Sequence, residues 1–81
     1  MIVHEGIGEM FRLRFNYART LYRDPSATLD DLREAVTTLE EIERIARRVL
    51  GGANPITVRT EASLRDARAT LRARETPSAN A

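Results

Sequence analysis

The side chains that could carry chemistry in this chain are few. Its 81 residues include one histidine, His4, and no cysteine. A zinc helix of the His-Glu-x-x-His type needs a second histidine, but that position is occupied by Gly8. Without cysteine, disulfides, thiol nucleophiles and thiolate metal sites are all excluded. We therefore expect no metal ion, no cofactor and no catalytic site, so that the protein is not an enzyme.

A second group to consider is the acidic run of Glu40, Glu41 and Glu43. Neighbouring carboxylates on a helix point in different directions and do not converge on one substrate. Glu43 differs from the others because it lies in register with the apolar residues Leu39 and Ala46. We expect it to form a structural ion pair with an arginine of the first or third helix rather than to act as an acid or a base.

The charges are nearly balanced. The chain has thirteen basic residues, all of them arginine, and twelve acidic residues, which gives a net charge of +1. Five of the arginines fall in residues 55–74, where Glu61 and Asp66 interrupt them, and Glu61 is spaced for a local pair with Arg65. This pattern favours a solvated face. Nucleic-acid binding through these arginines is the alternative, and the lack of an aromatic residue there for base stacking weighs against it.

Apolar residues recur at steps of three and four in three segments, which predicts three helices at about 7–23, 28–50 and 55–74. Thr28 is the expected N-cap of the second helix, with its hydroxyl accepting from the amide of Asp31. Gly51 or Gly52 in a left-handed conformation should end that helix, and Asn54 should cap the next one. The short connection requires antiparallel neighbours. The expected fold is all-α, an antiparallel helical hairpin plus a third helix in one domain, 1–75, with a disordered tail at 76–81.

The first helix carries two apolar stripes. One contains Phe11, Phe15 and Ala18, and the other contains Met10, Leu13, Tyr17 and Leu21. Because together they cover a wide arc, we expect this helix to be the most buried of the three.

Residues 35–55, AVTTLEEIERIARRVLGGANP, resemble the second helix and closing turn of a kinesin-light-chain-type tetratricopeptide repeat. In that family the helix ends in a run such as Arg-Arg-Val-Leu-Gly, and a loop ending in His-Pro follows. The matching positions here are Arg47, Arg48, Val49, Leu50, Gly51 and Pro55. The segment Phe15-Asn16-Tyr17-Ala18 is similar to the family's Asn-Asn-Leu-Ala in the first helix.

The match also shows departures from the family. Asn54 replaces the usual His, Ile42 stands where a small residue is typical, and the connection between the first two helices is longer than the family's tight turn. The resemblance covers residues 10–72, about one and a half divergent repeats, whereas such repeats need about three copies to bury a continuous core. It therefore implies a three-helix array that caps itself with the polar third helix or is completed by another molecule.

In this family, ligands usually lie in a concave groove lined by the first helices of successive repeats. The resemblance assigns six residues of this chain to such a surface: Arg12, Asn16, Arg19, Tyr22, Arg59 and Ser63. It implies a non-catalytic protein–protein interaction module, or a small scaffold or accessory subunit, that docks on a larger assembly or self-associates through apolar helix faces. The partner, the pathway and the oligomeric state are left open.

No apolar run approaches the roughly 20 residues of a membrane span, and the N-terminal segment lacks the pattern of a signal peptide. We expect a soluble intracellular protein, with the organelle undetermined. Whether the chain is complete or belongs to a longer repeat array is also open, although Met1 and the polar tail favour a complete product.

Overall fold

The structure, a computed structural model, describes residues 2–75 of the chain, and the side chains of residues 8–75. It contains α1 (Ile2–Arg23), α2 (Leu29–Leu50) and α3 (Pro55–Glu75), with no strand among the described residues. The predicted all-α class is confirmed. α1 begins at Ile2, ahead of the expected start near residue 7, whereas α2 and α3 begin and end within a residue of the predicted bounds. The predicted disorder of 76–81 lies outside the described residues, as does the side chain of His4.

The connection from α1 to α2 is built from short polar contacts. Asp24 precedes Pro25, and the residue before a proline is pushed out of the helical conformation, so α1 ends at Arg23. The predicted N-cap of α2 is confirmed: Thr28 Oγ1 accepts from the Asp31 amide at 3.0 Å, and Asp31 Oδ2 accepts from the Thr28 amide at 3.1 Å. This reciprocal capping box satisfies two amides that the helix itself cannot bond.

The connection from α2 to α3 uses the residue types that end and restart a helix. The Gly51 amide donates to the Arg47 carbonyl at 3.1 Å. Gly51 has a positive φ of +91°, as predicted for the residue that ends this helix. Its ψ of 155° is extended rather than left-handed helical. Such a conformation is open essentially to glycine alone. Asn54 caps α3 as expected, because its Oδ1 accepts from the Ile56 amide at 2.9 Å.

The helix α2 lies at the centre of the molecule. It packs along both α1 and α3, whereas α1 and α3 contact each other much less. The residues at the centre of the core are buried: Phe11, Ala18, Ala35, Leu39, Ile42, Ala46, Leu64 and Ala67. The molecule is elongated, 54 × 22 × 14 Å.

The prediction that α1 is the most buried helix is wrong. Three of the four residues of its second stripe are exposed, Met10 at 43%, Leu13 at 61% and Tyr17 at 50%, whereas Leu21 is partly buried against the core. The reason is the order of the helices: α2 has a neighbour on both sides, whereas only one side of α1 is covered. We call Met10, Leu13 and Tyr17 the α1 edge.

Ion pairs join α2 to its neighbours. Arg14 on α1 pairs with Glu41 at 3.3 Å, and Arg68 on α3 pairs with Glu40 at 2.9 Å. Glu43 is partly buried, as its register indicated, but its partner is Arg47 on the same helix, at 2.6 Å. Arg47 also binds Glu61 of α3. The interhelical link expected of Glu43 is therefore indirect, and Glu61 pairs with Arg47 rather than with the predicted Arg65.

Candidate functional site

A groove of about 640 Å³ opens between α1 and α3. The two helices contact each other much less than each contacts α2, and Ile42 of α2 and Phe11 of α1 form part of the lining between them. We call this opening the α1–α3 groove, and its other lining residues are Gly8, Glu9, Arg12, Phe15, Asn16, Arg19, Ile56, Arg59 and Thr60.

A smaller pocket of about 310 Å³ adjoins the groove. It shares Phe15, Arg19 and Arg59 with the groove and adds Tyr22 and Ser63, together with Arg23 and Asp66. We call it the arginine pocket. Both openings lie between the same two helices and share these three lining residues.

The six residues assigned from the resemblance meet at these two openings. Arg12, Asn16, Arg19 and Arg59 line the α1–α3 groove. Tyr22 and Ser63 line the arginine pocket together with Arg19 and Arg59. What they bind there remains a prediction.

Helical spacing explains why these residues share one side. Arg12, Asn16, Arg19 and Arg23 follow one another at steps of three and four, so they form a continuous row along α1. On α3, Arg59, Ser63 and Asp66 form a matching row. The two rows face each other across the opening because α1 and α3 both pack on α2.

The arginines of the site differ in their partners. Arg12 pairs with Glu9 at 2.9 Å, one turn earlier on α1. The guanidinium carbon of Arg59 lies 5.9 Å from the centre of the Phe15 ring, within range of a cation–π contact. Within residues 8–75, none of Arg19, Arg23 and Arg59 forms an ion pair with a carboxylate. Their forks are therefore available to a ligand.

The carboxylate of Asp24 lies at the C-terminal end of the row of polar residues on α1. Asp24 lies beside Arg19 and Arg23, but its Oδ1 accepts from both the amide and the hydroxyl of Ser26, each at 2.9 Å. These hydrogen bonds, with a smaller contribution from the charge of Arg74, hold the pKa of Asp24 below its ordinary value of 3.8. Asp24 is thus a carboxylate at neutral pH, and it is engaged in the turn.

Sequence reasoning missed three contributors to the site. Phe15 was assigned to an apolar stripe of the first helix and not to the ligand surface, yet it lines both openings while it packs, partly buried, against the core. Ile56, 41% exposed, lines the groove beside Arg59. Arg23 extends the row on α1, and its four-residue step from Arg19 was a signal that could have found it.

The arginines of α3 other than Arg59 do not line the α1–α3 groove. Arg68 pairs with Glu40, and Arg74 donates to the carbonyls of Ala27 at 2.6 Å and Pro25 at 2.8 Å. Arg65 lines a depression between α2 and α3 that also contains Glu43 and Glu61. Of the arginines on this helix, Arg59 is the one that lines the α1–α3 groove.

The α1 edge is a second exposed surface, on the side of α1 away from α3. Tyr17 donates its hydroxyl to Glu34 of α2 at 2.7 Å, and this hydrogen bond raises the pKa of Tyr17 above its ordinary value of 10.0. Ile45 and Val49 of α2 are also exposed, at 38% and 54%. Apolar side chains on α1 and α2 therefore remain accessible outside the groove.

Comparison with protein-family models, with curated proteins and with solved structures finds no match to this chain. Within the described part of the chain, no helix has both the length and the apolar character needed to cross a membrane. The side chains described there also include no group of three His, Asp or Glu residues placed to hold a metal ion.

Proposed function

We propose that this protein is a non-catalytic interaction module that binds a segment of a partner protein in the α1–α3 groove. The observation that carries the proposal is the composition of that groove. Two of its arginines, Arg19 and Arg59, form no ion pair with a carboxylate of residues 8–75, and they line the groove together with the partly exposed apolar residues Phe15 and Ile56. Apolar contact area bounded by unengaged arginine forks is typical of surfaces that bind proteins.

The shape of the opening also supports this proposal. The lining follows α1 over about three turns, from Gly8 to Arg19, so an extended segment would find contacts along this helix. Arg12 and Asn16 lie toward one end and Arg19 toward the other, so polar groups are spaced along a bound chain. The tetratricopeptide resemblance assigns the same surface to ligands.

Self-association is the second form of this function, and the α1 edge supports it. Burial of Met10, Leu13 and Tyr17 against another molecule would remove apolar area from water, at about 25 cal/mol per Å². Light scattering across a concentration series distinguishes the two forms. A constant monomer mass favours a different partner chain, and a mass that rises toward the dimer favours a second copy.

Nucleic-acid binding through α3 has weaker support. Arg68 and Arg74 are engaged within the protein, and Glu61 and Asp66 interrupt the row. A continuous track of free cations along a phosphate backbone is therefore not the arrangement that this helix presents.

The proposal is tested by charge reversal in the groove. A tagged chain is recovered from the cells that make it, its co-purifying proteins are identified by mass spectrometry, and the recovery is repeated with Arg19→Glu. We expect this variant to lose the partner, because a carboxylate replaces a guanidinium on the lining of both openings.

The matched control is Arg44→Glu. Arg44 is an exposed arginine of α2 without an ion pair in the described structure, and it lies outside the groove. It makes the same change of charge and should retain the partner. Equal retention, or equal loss, in both variants would contradict binding in the α1–α3 groove.

A further inference from the structure

The arginine pocket contains more hydrogen-bond donors than an apolar peptide requires. It is lined by Arg19, Arg23 and Arg59, which carry guanidinium donors, and by Tyr22 and Ser63, which carry hydroxyl donors. One carboxylate, Asp66, is also present. Three positive charges less one negative charge leave the lining at +2.

The three arginines repel one another, and Asp66 in the lining and Asp24 beside Arg19 and Arg23 offset only part of that repulsion, so an anion in the pocket relieves the rest. None of the three arginines pairs with a carboxylate elsewhere in the described part of the protein. The contact of Arg59 with the face of Phe15 orients its guanidinium beside the pocket. The guanidinium donors of Arg19, Arg23 and Arg59 therefore lie at the pocket and are not taken up by a carboxylate of residues 8–75.

The charge of the lining selects among anions. A side-chain carboxylate carries a charge of −1 and would leave the pocket at +1. A phosphate monoester carries about −1.5 to −2 at pH 7 and offers three acceptor oxygens, so it matches both the charge and the donors. A phosphodiester of a nucleic acid has one charge per phosphate and needs a longer basic track than this pocket supplies.

We propose that the arginine pocket binds a phosphorylated side chain of the partner protein. This inference rests on the proposed function, because the pocket shares Phe15, Arg19 and Arg59 with the groove in which the partner segment lies. A phosphorylated residue in that segment would reach the pocket while its neighbours occupy the groove. Partner binding then depends on phosphorylation of the partner.

The test is a nuclear magnetic resonance titration of the ¹⁵N-labelled full chain with two capped tripeptides, Ala-phosphoserine-Ala and Ala-Glu-Ala. We expect the phosphopeptide to shift the Nε–H signals of Arg19, Arg23 and Arg59 and the amide of Ser63. It should bind about ten-fold more tightly than the glutamate peptide, since each hydrogen bond to a charged group contributes about 1.5–3 kcal/mol.

Two variants connect the binding to the pocket. Arg59→Gln should weaken the phosphopeptide about ten-fold, whereas Arg65→Gln, on the same helix but outside the pocket, should not change it. Arg23→Gln provides a second test with no Phe15 contact to lose, and unchanged thermal melts verify that both pocket variants remain folded. Equal binding of the two peptides, or binding that survives both pocket variants, would overturn the proposal.

Two further outcomes separate this inference from the proposed function. If the phosphopeptide fails to bind while Arg19→Glu still releases the co-purified partner, the phosphate proposal is wrong and the interaction module stands. If a single-stranded oligonucleotide binds these arginines more tightly than the phosphopeptide does, the pocket serves a phosphodiester and the proposal is again wrong.

Discussion

Thr57 shows how a single hydroxyl affects the stability of this core. Its side chain is fully buried, and its Oγ1 is the one buried side-chain polar atom without a hydrogen-bond partner among the described residues. Thr60, one turn later and equally buried, donates its hydroxyl to the Ile56 carbonyl at 2.7 Å. The two threonines therefore form a matched pair that differs in hydrogen bonding.

We predict that Thr57→Val raises the free energy of unfolding by about 1 kcal/mol, because valine keeps the shape while removing a desolvated hydroxyl. Thr60→Val removes a hydrogen bond as well as a hydroxyl and should show no comparable gain. Urea denaturation followed by circular dichroism measures both changes. A loss of stability in Thr57→Val would show that its hydroxyl is satisfied.

At the scale of the elements, the end of α3 secures the connection between α1 and α2. Arg74 is partly buried and donates to two backbone carbonyls of that connection, those of Pro25 and Ala27. Arg33 near the start of α2 also reaches Glu75, at 3.6 Å. Contacts between residues this distant in sequence tie all three helices together at one end of the molecule.

We predict that Arg74→Gln lowers the free energy of unfolding by about 1–3 kcal/mol. Glutamine is shorter than arginine and lacks the guanidinium that donates to the carbonyls of both Pro25 and Ala27. Arg65→Gln, an exposed arginine on the same helix, is the control and should change stability by less than about 0.5 kcal/mol. Thermal and urea melts compare the two variants. If both behave alike, the contacts of Arg74 with the turn contribute nothing to stability.

At the scale of the whole molecule, stability depends on α2. Leu39 is fully buried at the centre of this helix, whereas Leu13 on the α1 edge is 61% exposed. A core of this size supplies only about 3–5 kcal/mol in total. The loss of one central side chain is therefore of the same order as the whole stability.

We predict that Leu39→Ala costs about 2–5 kcal/mol and leaves much of the population unfolded at 25 °C, while Leu13→Ala changes stability by less than about 0.5 kcal/mol. The helical signal at 222 nm, recorded in urea at low protein concentration, tests both variants. A large loss in Leu13→Ala that grows with protein concentration would show that the α1 edge is buried between copies of the chain.

Local signals were sufficient for the three helices and for their ends, apart from the start of α1, which lies at Ile2 and not near residue 7. The capping of α2 by Thr28 and of α3 by Asn54 depends on contacts within three residues, so the residue types determine it. Apolar periodicity likewise identified the all-α class, because a helix shows its buried face in its own sequence. Arg12, Asn16 and Arg19 were assigned to a ligand surface through the family resemblance, and their helical spacing places them on one side of α1.

The order of the helices was decided only by tertiary structure. The two stripes of α1 are similar in composition, and sequence does not say that one of them packs while Met10, Leu13 and Tyr17 remain exposed. The partner of Glu43 and the opening between Arg19 and Arg59 depend in the same way on how α1 and α3 lie on α2. Periodicity reports which side chains share a face of a helix, whereas a groove requires the relative placement of two helices, which no local pattern encodes.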